Sequence, residues 1–354
     1  MGGNLLTYGV EIELYSIVRP EYRICREIYF PKKGTVEIGE KFKKDTSIGI
    51  EYNSKVFTTV REALFLLKNG LRKYIQHYSI PGEAQKYVAG IMPVGGWRDR
   101  FAATHFHIGK QRGIMLKEAV SLSRHIHDHI PFLIAICANS PVWGEELTKY
   151  ASIRLGRGNE YCETLQRGQL NKALFKEMRY NAEDRTKPGT LELRMCDSNI
   201  PEFVSAALLV IQVICMGWTK RKPTNLSSHM KYLKSREQAV RKGASAELSW
   251  NNRLIDLQDY VDLIFEKYRR EIKRIDPPED VLNTFRYLKC GWNGSRIIRE
   301  AVRKSYRYHP QTWQKRFAKR YVNAIRLLLD GGQLKDFAKQ LKVSMPDIRK
   351  VELG

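Results

Sequence analysis

Four short stretches of this chain carry ionic residues within an alternating pattern, three of them as pairs two apart, and chemistry would be done there. Glu11 and Glu13 lie in Leu5 to Leu14, Glu51 in Ser47 to Phe57, His105 and His107 in Thr104 to Gly109, and Glu192 and Arg194 in Thr190 to Cys196. Apolar residues take the alternate positions, for example Val10, Ile12 and Leu14, or Leu191, Leu193 and Met195. Period-two alternation marks a strand with two chemically different faces. Residues two apart on a strand are about 6.5–7 Å apart, from a rise of about 3.3 Å each, so neighbouring carboxylates can hold two adjacent metal ions. Oxygen ligands with an occasional imidazole suit magnesium or manganese. An arginine beside them offsets charge developing on a phosphate in transfer. Each motif alone is an ordinary solvated strand face; their joint occurrence points to a site.

Strands and helices must alternate to position these residues. Helical spacing predicts helices over 59–77, 116–138 and 202–218. Beyond Lys220 the strand signal vanishes, and segments near 230–242, 255–274, 278–289, 296–305 and 313–329 read as helices. A composition shift at Thr219–Ser228, with Pro223, Asn225 and two serines, predicts a boundary between a catalytic domain, 1–225, and a basic α-helical domain, 226–354.

The ordered motifs carry a family resemblance. Gly9-Val10-Glu11-Ile12-Glu13, then Thr104-His105-Phe106-His107-Ile108-Gly109, then Thr190-Leu191-Glu192-Leu193-Arg194 resemble the glutamine synthetase superfamily. More narrowly, the chain resembles the glutamate–cysteine ligase-like carboxylate–amine ligases and amidoligases. Ala138-Asn139-Ser140-Pro141-Val142-Trp143 with Tyr150-Ala151-Ser152-Ile153-Arg154, and Arg236-Glu237-Gln238 through Gly243, are similar to further segments of that group; Asp45-Thr46-Ser47 resembles its Asp-Gly-Ser strand.

The resemblance, over residues 5–250, implies an α+β fold with a curved, mainly antiparallel sheet whose concave face holds metal and nucleotide. It implies that Glu11, Glu13, Glu51, His105 and Glu192 ligate Mg2+ or Mn2+, that His107 and Arg241 touch the phosphates of ATP, and that Arg194 stabilises the phosphate in flight. Arg154 would grip a substrate carboxylate. The implied reaction is ATP-dependent amide-bond formation between a small-molecule or peptide carboxylate, such as glutamate, and an amine. A metal-dependent nuclease or phosphodiesterase, and a nucleic-acid-binding protein on a degenerate ligase fold, are the alternatives.

Composition bounds the rest. The net charge is +23, and the stretch from Lys220 onward holds 31 Lys and Arg against 15 Asp and Glu. Such a bias favours polyanionic partners, nucleic acid or a phosphate-bearing nucleotide, or else marks a solvated basic surface. The six scattered cysteines, with no CxxC pair, predict reduced thiols in a cytoplasmic protein. No leader sequence is indicated, and the apolar run Phe203 to Trp218 is shorter than the roughly 20 residues of a membrane span, so it reads as a buried helix. His125, His127 and His129 read as a polar helix face rather than a metal site, and Leu155–Asn159 is a weak glycine pair. Gln333 to Glu352 is spaced like a helix-turn-helix, read as a helical pair packed on the rest. Whether the chain is a homo-oligomer is not legible.

Overall fold

A 13-residue strand, β1 (Leu6–Val18), runs through the middle of the principal sheet. In chain order there follow β2 (Arg23–Cys25), β3 (Lys41–Asp45), β4 (Gly49–Asn53), α1 (Val60–Ser79), β5 (Val88–Met92), β6 (Ala103–Lys110), α2 (Leu116–Ile126) and α3 (Ile130–Cys137). Next come β7 (Val142–Trp143), β8 (Glu146–Leu147), α4 (Ile153–Gly156), β9 (Met178–Asn181), β10 (Thr190–Asp197) and α5 (Pro201–Thr219). The later elements are α6 (His229–Lys242), β11 (Glu247–Trp250), β12 (Arg253–Asp256), α7 (Leu257–Lys267), α8 (Arg269–Ile275), α9 (Glu279–Lys289), α10 (Gly294–Tyr308), α11 (Trp313–Leu329) and α12 (Leu334–Gln340). This computed structural model describes residues 5–25, 39–45, 49–79, 88–157, 162–170, 176–183 and 188–354. Thr46, Ser47, Gly158 and Asn159, singled out in the sequence, lie outside them.

The sheet runs β3-β4-β1-β6-β10-β9, with β2 and β5 paired to the far end of β1, and every pairing in it is antiparallel. The expected α+β architecture is therefore present, with a helix-rich second half. Register sets the functional face. Glu13 lies opposite Glu51, Glu11 opposite His105, and His107 between Gly9 and Glu192. The alternate residues Val10, Ile12, Phe106, Ile108, Leu191 and Leu193 are buried beneath. Because the side-chain period is two, a slip of one residue would rotate every carboxylate into the apolar layer and put apolar residues on the ionic face.

Helices α1, α3, α5, α9 and α11 share one continuous hydrophobic core with the sheet. The core helix α5 is 19 residues long and apolar enough to cross a membrane by composition, but 83% of its apolar window is buried within the protein. The predicted helix over 116–138 is two helices joined by a 3-10 turn at His127–His129. Pro131, at the start of α3, has no N–H to continue the ladder, which accounts for the break.

Two expectations for the second half are corrected. Strand does occur beyond Lys220: β11 and β12 form a hairpin whose turn residues, Asn251 and Asn252, have φ of 46° and 65°. Asparagine tolerates that left-handed geometry, which two-residue hairpin turns require. The helix-turn-helix reading of Gln333 to Glu352 also fails, because α12 ends at Gln340 and no helix follows. Lys342 takes φ 63°, a left-handed geometry that cannot continue α12, and the residues beyond it form turns and irregular chain. The five cysteines whose side chains are described are all free thiols.

Candidate active site

The ionic residues predicted on four strands converge on one face of the sheet. Glu11 is central. Its Oε2 is 3.4 Å from His105 Nδ1, and its Oε1 is 3.5 Å from His107 Nε2. His105 Nδ1 also lies 3.5 Å from Glu192 Oε1, and Arg194 forms an ion pair with the same Glu192 oxygen. Glu11, His107 and Glu192 each offer an atom within 4.8 Å of the others, close enough to share a metal ion.

Glu13 and Glu51 sit one row along. Glu13 accepts a hydrogen bond from the Ala103 N–H at 2.6 Å. Glu51 accepts from Asn53 Nδ2 at 2.6 Å and pairs with Lys43 Nζ at 2.8 Å; Lys43 is also 3.9 Å from Glu11. Gly9 faces His107 and leaves that row without a side chain on the neighbouring strand. A Cβ there would come within 3.8 Å of the His107 Cβ and fill part of the space over the cluster.

Electrostatics fit a cation site. Burial raises the Glu51 pKa, and repulsion from Glu11 adds to it against the pull of Lys43. Burial acts the same way on Glu11, but the close imidazoles of His105 and His107 outweigh it and hold this carboxyl well below the usual range. Glu192 is likewise lowered: burial is overcome by the two histidines and Arg194. Burial pushes His105 down, against its contact with Glu11. For His107 burial is outweighed by Glu11, and the pKa rises. His107 Nε2 is buried without a hydrogen-bond partner. Mutually repelling carboxylates and a buried imidazole nitrogen beside Glu11 are a donor set that a divalent cation would satisfy.

Two predicted site residues lie elsewhere. Arg154 is 2% exposed; its Nε donates to Asp197 at 2.8 Å and its Nη2 to the Arg194 carbonyl at 3.3 Å. Asp197 also accepts from the Asn139 N–H and the Ser140 and Ser152 hydroxyls. The guanidinium expected to grip a substrate is thus engaged in a buried hub behind the cluster. Arg241 is exposed, pairs with Glu237 at 2.9 Å, and lines a separate basic cavity. The histidines of 125–129 do not form a polar surface. His127 is held by Asp128 and the Leu165 carbonyl, and His129 by Tyr260 and Thr224, all within the interior.

Known proteins are similar to this chain in sequence and in fold. The model of glutamate-cysteine ligase family 2 matches residues 102–157. A Legionella pneumophila (strain Corby) protein provisionally named glutamate–cysteine ligase 2-1 is 27% identical over 207 residues, 52% of this chain and 51% of its own length. A second from that strain, provisionally named 2-2, is 25% identical over 341 residues, 81% of this chain and 83% of its own. Among solved structures, the glutamate–cysteine ligase of Francisella tularensis in complex with AMP superposes with a TM-score of 0.57 at 10% identity, covering 96% of this chain and 93% of that one. The Pup ligase PafA in complex with Pup gives 0.58 at 11% identity, covering 97% and 80%. In sequence and in fold the chain is thus similar to glutamate–cysteine ligase-like proteins. The chain spans about half the length of the first relative and most of the second.

Sequence reasoning missed several residues of this candidate site. Lys43 reaches it from β3, Asn181 holds Glu192 Oε2 at 2.9 Å, and Thr190 Oγ1 is 3.3 Å from His107 Nδ1. Arg179 lies directly opposite Glu192 on β9, with its Nε buried and unpartnered. Lys43 carried no clear signal, because Lys44 breaks the alternation of Lys41-Phe42-Lys43. Strand β9 has only 4 residues, too short for alternation to stand out.

Proposed function

We propose that this chain is an ATP-dependent carboxylate–amine ligase that joins a carboxylic acid to an amine through an acyl phosphate. The observation that carries the reading is the sheet face itself: four carboxylates, two histidines and a flanking arginine held on paired strands with fixed register. Glu11, Glu13, Glu51, His105 and Glu192 would hold Mg2+ or Mn2+, and His107 completes the group that can share one ion. Bound there, the ions would supply charge neutralisation for the polyphosphate and its acceptor.

The chain's own residues do the rest. A carboxylate is a poor electrophile until one oxygen attacks the γ-phosphorus of ATP, the bond to the β-phosphate oxygen breaks, and ADP leaves. The amine nitrogen then adds to the acyl carbon, loses a proton, and expels inorganic phosphate with the C–O bonding pair. Arg194 sits at the edge of the cluster with its Nε free, and Arg179 flanks the other side of Glu192. Their guanidiniums are placed to meet charge on the transferring phosphoryl oxygens. Rigid strands suit this task because phosphoryl transfer depends on positioning and fixed charge. Arg154 acts in this scheme as a positioning residue, tying α4 to β10 through Asp197 and the Arg194 carbonyl.

The two ligases of the superposed structures act on different partners, glutamate with cysteine in one and Pup in the other. The acid and amine here are therefore found by assay. Magnesium-dependent release of ADP and phosphate would be followed across acids and amines offered singly and in pairs. Release stimulated by one acid–amine pair identifies the substrates and supports the reading. ATP left intact with every pair, or cleaved at the same rate without them, overturns it.

A further inference from the structure

Helix α10 carries a cationic stripe that the ligase reading does not use. Arg296, Arg299, Arg303 and Arg307 follow at intervals of three, four and four, which keeps them within one face of a 3.6-residue helix. Ile297, Ile298, Ala301, Val302 and Ser305 occupy the opposite face and are buried. From Ala301 to Leu329 the chain holds eight Lys and Arg and no Asp or Glu.

The N-terminal half of the stripe opens onto a cavity of about 490 Å³, to which Lys149, Arg241 and Lys242 also contribute. Glu300 is the single carboxylate lining it, and it pairs with Arg303 at 3.2 Å. These cations are placed rather than loose. Arg299 donates to the carbonyls of Thr148 and Tyr150 at 2.6 and 2.7 Å, and Arg296 donates to the Gly291 carbonyl while lying over the Trp292 ring. Burial lowers the Arg299 pKa, and repulsion from Arg303 lowers it further, the mark of a charge surplus.

At the other end of the stripe the helix presents aromatic rings. Tyr306 is 58% and Tyr308 67% exposed, and Arg307 lies over the Tyr308 ring. Arg307, Lys315, Arg316 and Lys319 form no ion pair among the described residues. A track of fixed guanidiniums leading to exposed rings combines phosphate neutralisation with surfaces on which unpaired bases stack. An acidic peptide would use the cations and leave the tyrosines idle.

We infer that the Arg296–Arg307 face of α10, with the cavity at its base and the tyrosines at its end, binds single-stranded nucleic acid through its phosphates and bases. The surface shares no residue with the sheet cluster, so its test stands apart from ligase turnover. Fluorescein-labelled oligouridylate and oligothymidylate would be titrated onto the full chain by anisotropy over a range of salt concentrations. Four engaged arginines predict a log–log salt slope near −3, from about −0.7 per phosphate on single strands. Arg303→Glu with Arg307→Glu, both exposed, should weaken binding at least tenfold and roughly halve the slope. Tyr306→Ala with Tyr308→Ala should weaken it about tenfold at unchanged slope. Arg269→Glu with Arg270→Glu on α8 makes the same change in net charge away from the stripe and should cost much less. The tighter of the two oligonucleotides identifies RNA or DNA. Equal losses in the α10 and α8 variants, or binding of polyglutamate in place of both oligonucleotides, would overturn the assignment.

Discussion

Replacing Arg154 with alanine should damage the fold more than substrate affinity. Its partner Asp197 is 1% exposed and accepts four hydrogen bonds: from Asn139 N at 2.9 Å, Ser140 Oγ at 2.8 Å, Ser152 Oγ at 3.0 Å and Arg154 Nε at 2.8 Å. Removing the guanidinium leaves a buried carboxylate with three neutral donors and no countercharge. Breaking a buried pair from one side costs about 3–5 kcal/mol. The three remaining donors put the expected loss near the lower end, about 3 kcal/mol, a large share of a typical total of about 5–15 kcal/mol. Urea unfolding followed by circular dichroism would show the midpoint fall with little change in slope. Arg154→Lys, which keeps the charge but not the planar donor, should fall between the two. A loss within about 0.5 kcal/mol for Arg154→Ala, as for an ordinary surface change, accompanied by a raised KM for the acid, would refute this placement and return Arg154 to the substrate.

Three further outcomes follow from the same geometry. Glu11→Gln should weaken Mn2+ binding at least tenfold, measured by titration without nucleotide, because Glu11 contacts both histidines and its charge acts on Glu51. Gly70→Ala should cost about 1–3 kcal/mol in thermal unfolding, since its Cβ would lie 2.5 Å from the Tyr52 Cζ in a packed interior. Arg179→Ala should lower kcat with the melting temperature unchanged, and a wild-type kcat would remove Arg179 from the site.

Much of the site was legible because a strand writes its two faces directly into alternate residues. Glu11, Glu13, Glu51, His105, His107, Glu192 and Arg194 were all placed on one face from that pattern, and register then brought them together. Arg154 and Arg241 were not legible in the same way, because their surroundings depend on long-range partners: Asp197 lies 43 residues from Arg154. Lys43 escaped notice because Lys44 breaks the alternation on β3, and Asn181 because β9 has only 4 residues. The helices were readable from apolar spacing, except where Pro131 divided one of them. The β11–β12 hairpin was obscured by its helical neighbours, although Asn251-Asn252 carried its turn signal.

The central claim is that the sheet cluster activates a carboxylate with ATP. Hydroxylamine, standing in for the amine, traps an acyl phosphate as a hydroxamate, so this measurement needs no knowledge of the natural amine. With ATP, magnesium and the correct acid, hydroxamate should form in step with ADP in the native chain and disappear in a folded Glu192→Gln variant. Hydroxamate accompanied by AMP instead of ADP, or undiminished in the folded variant, would contradict the account.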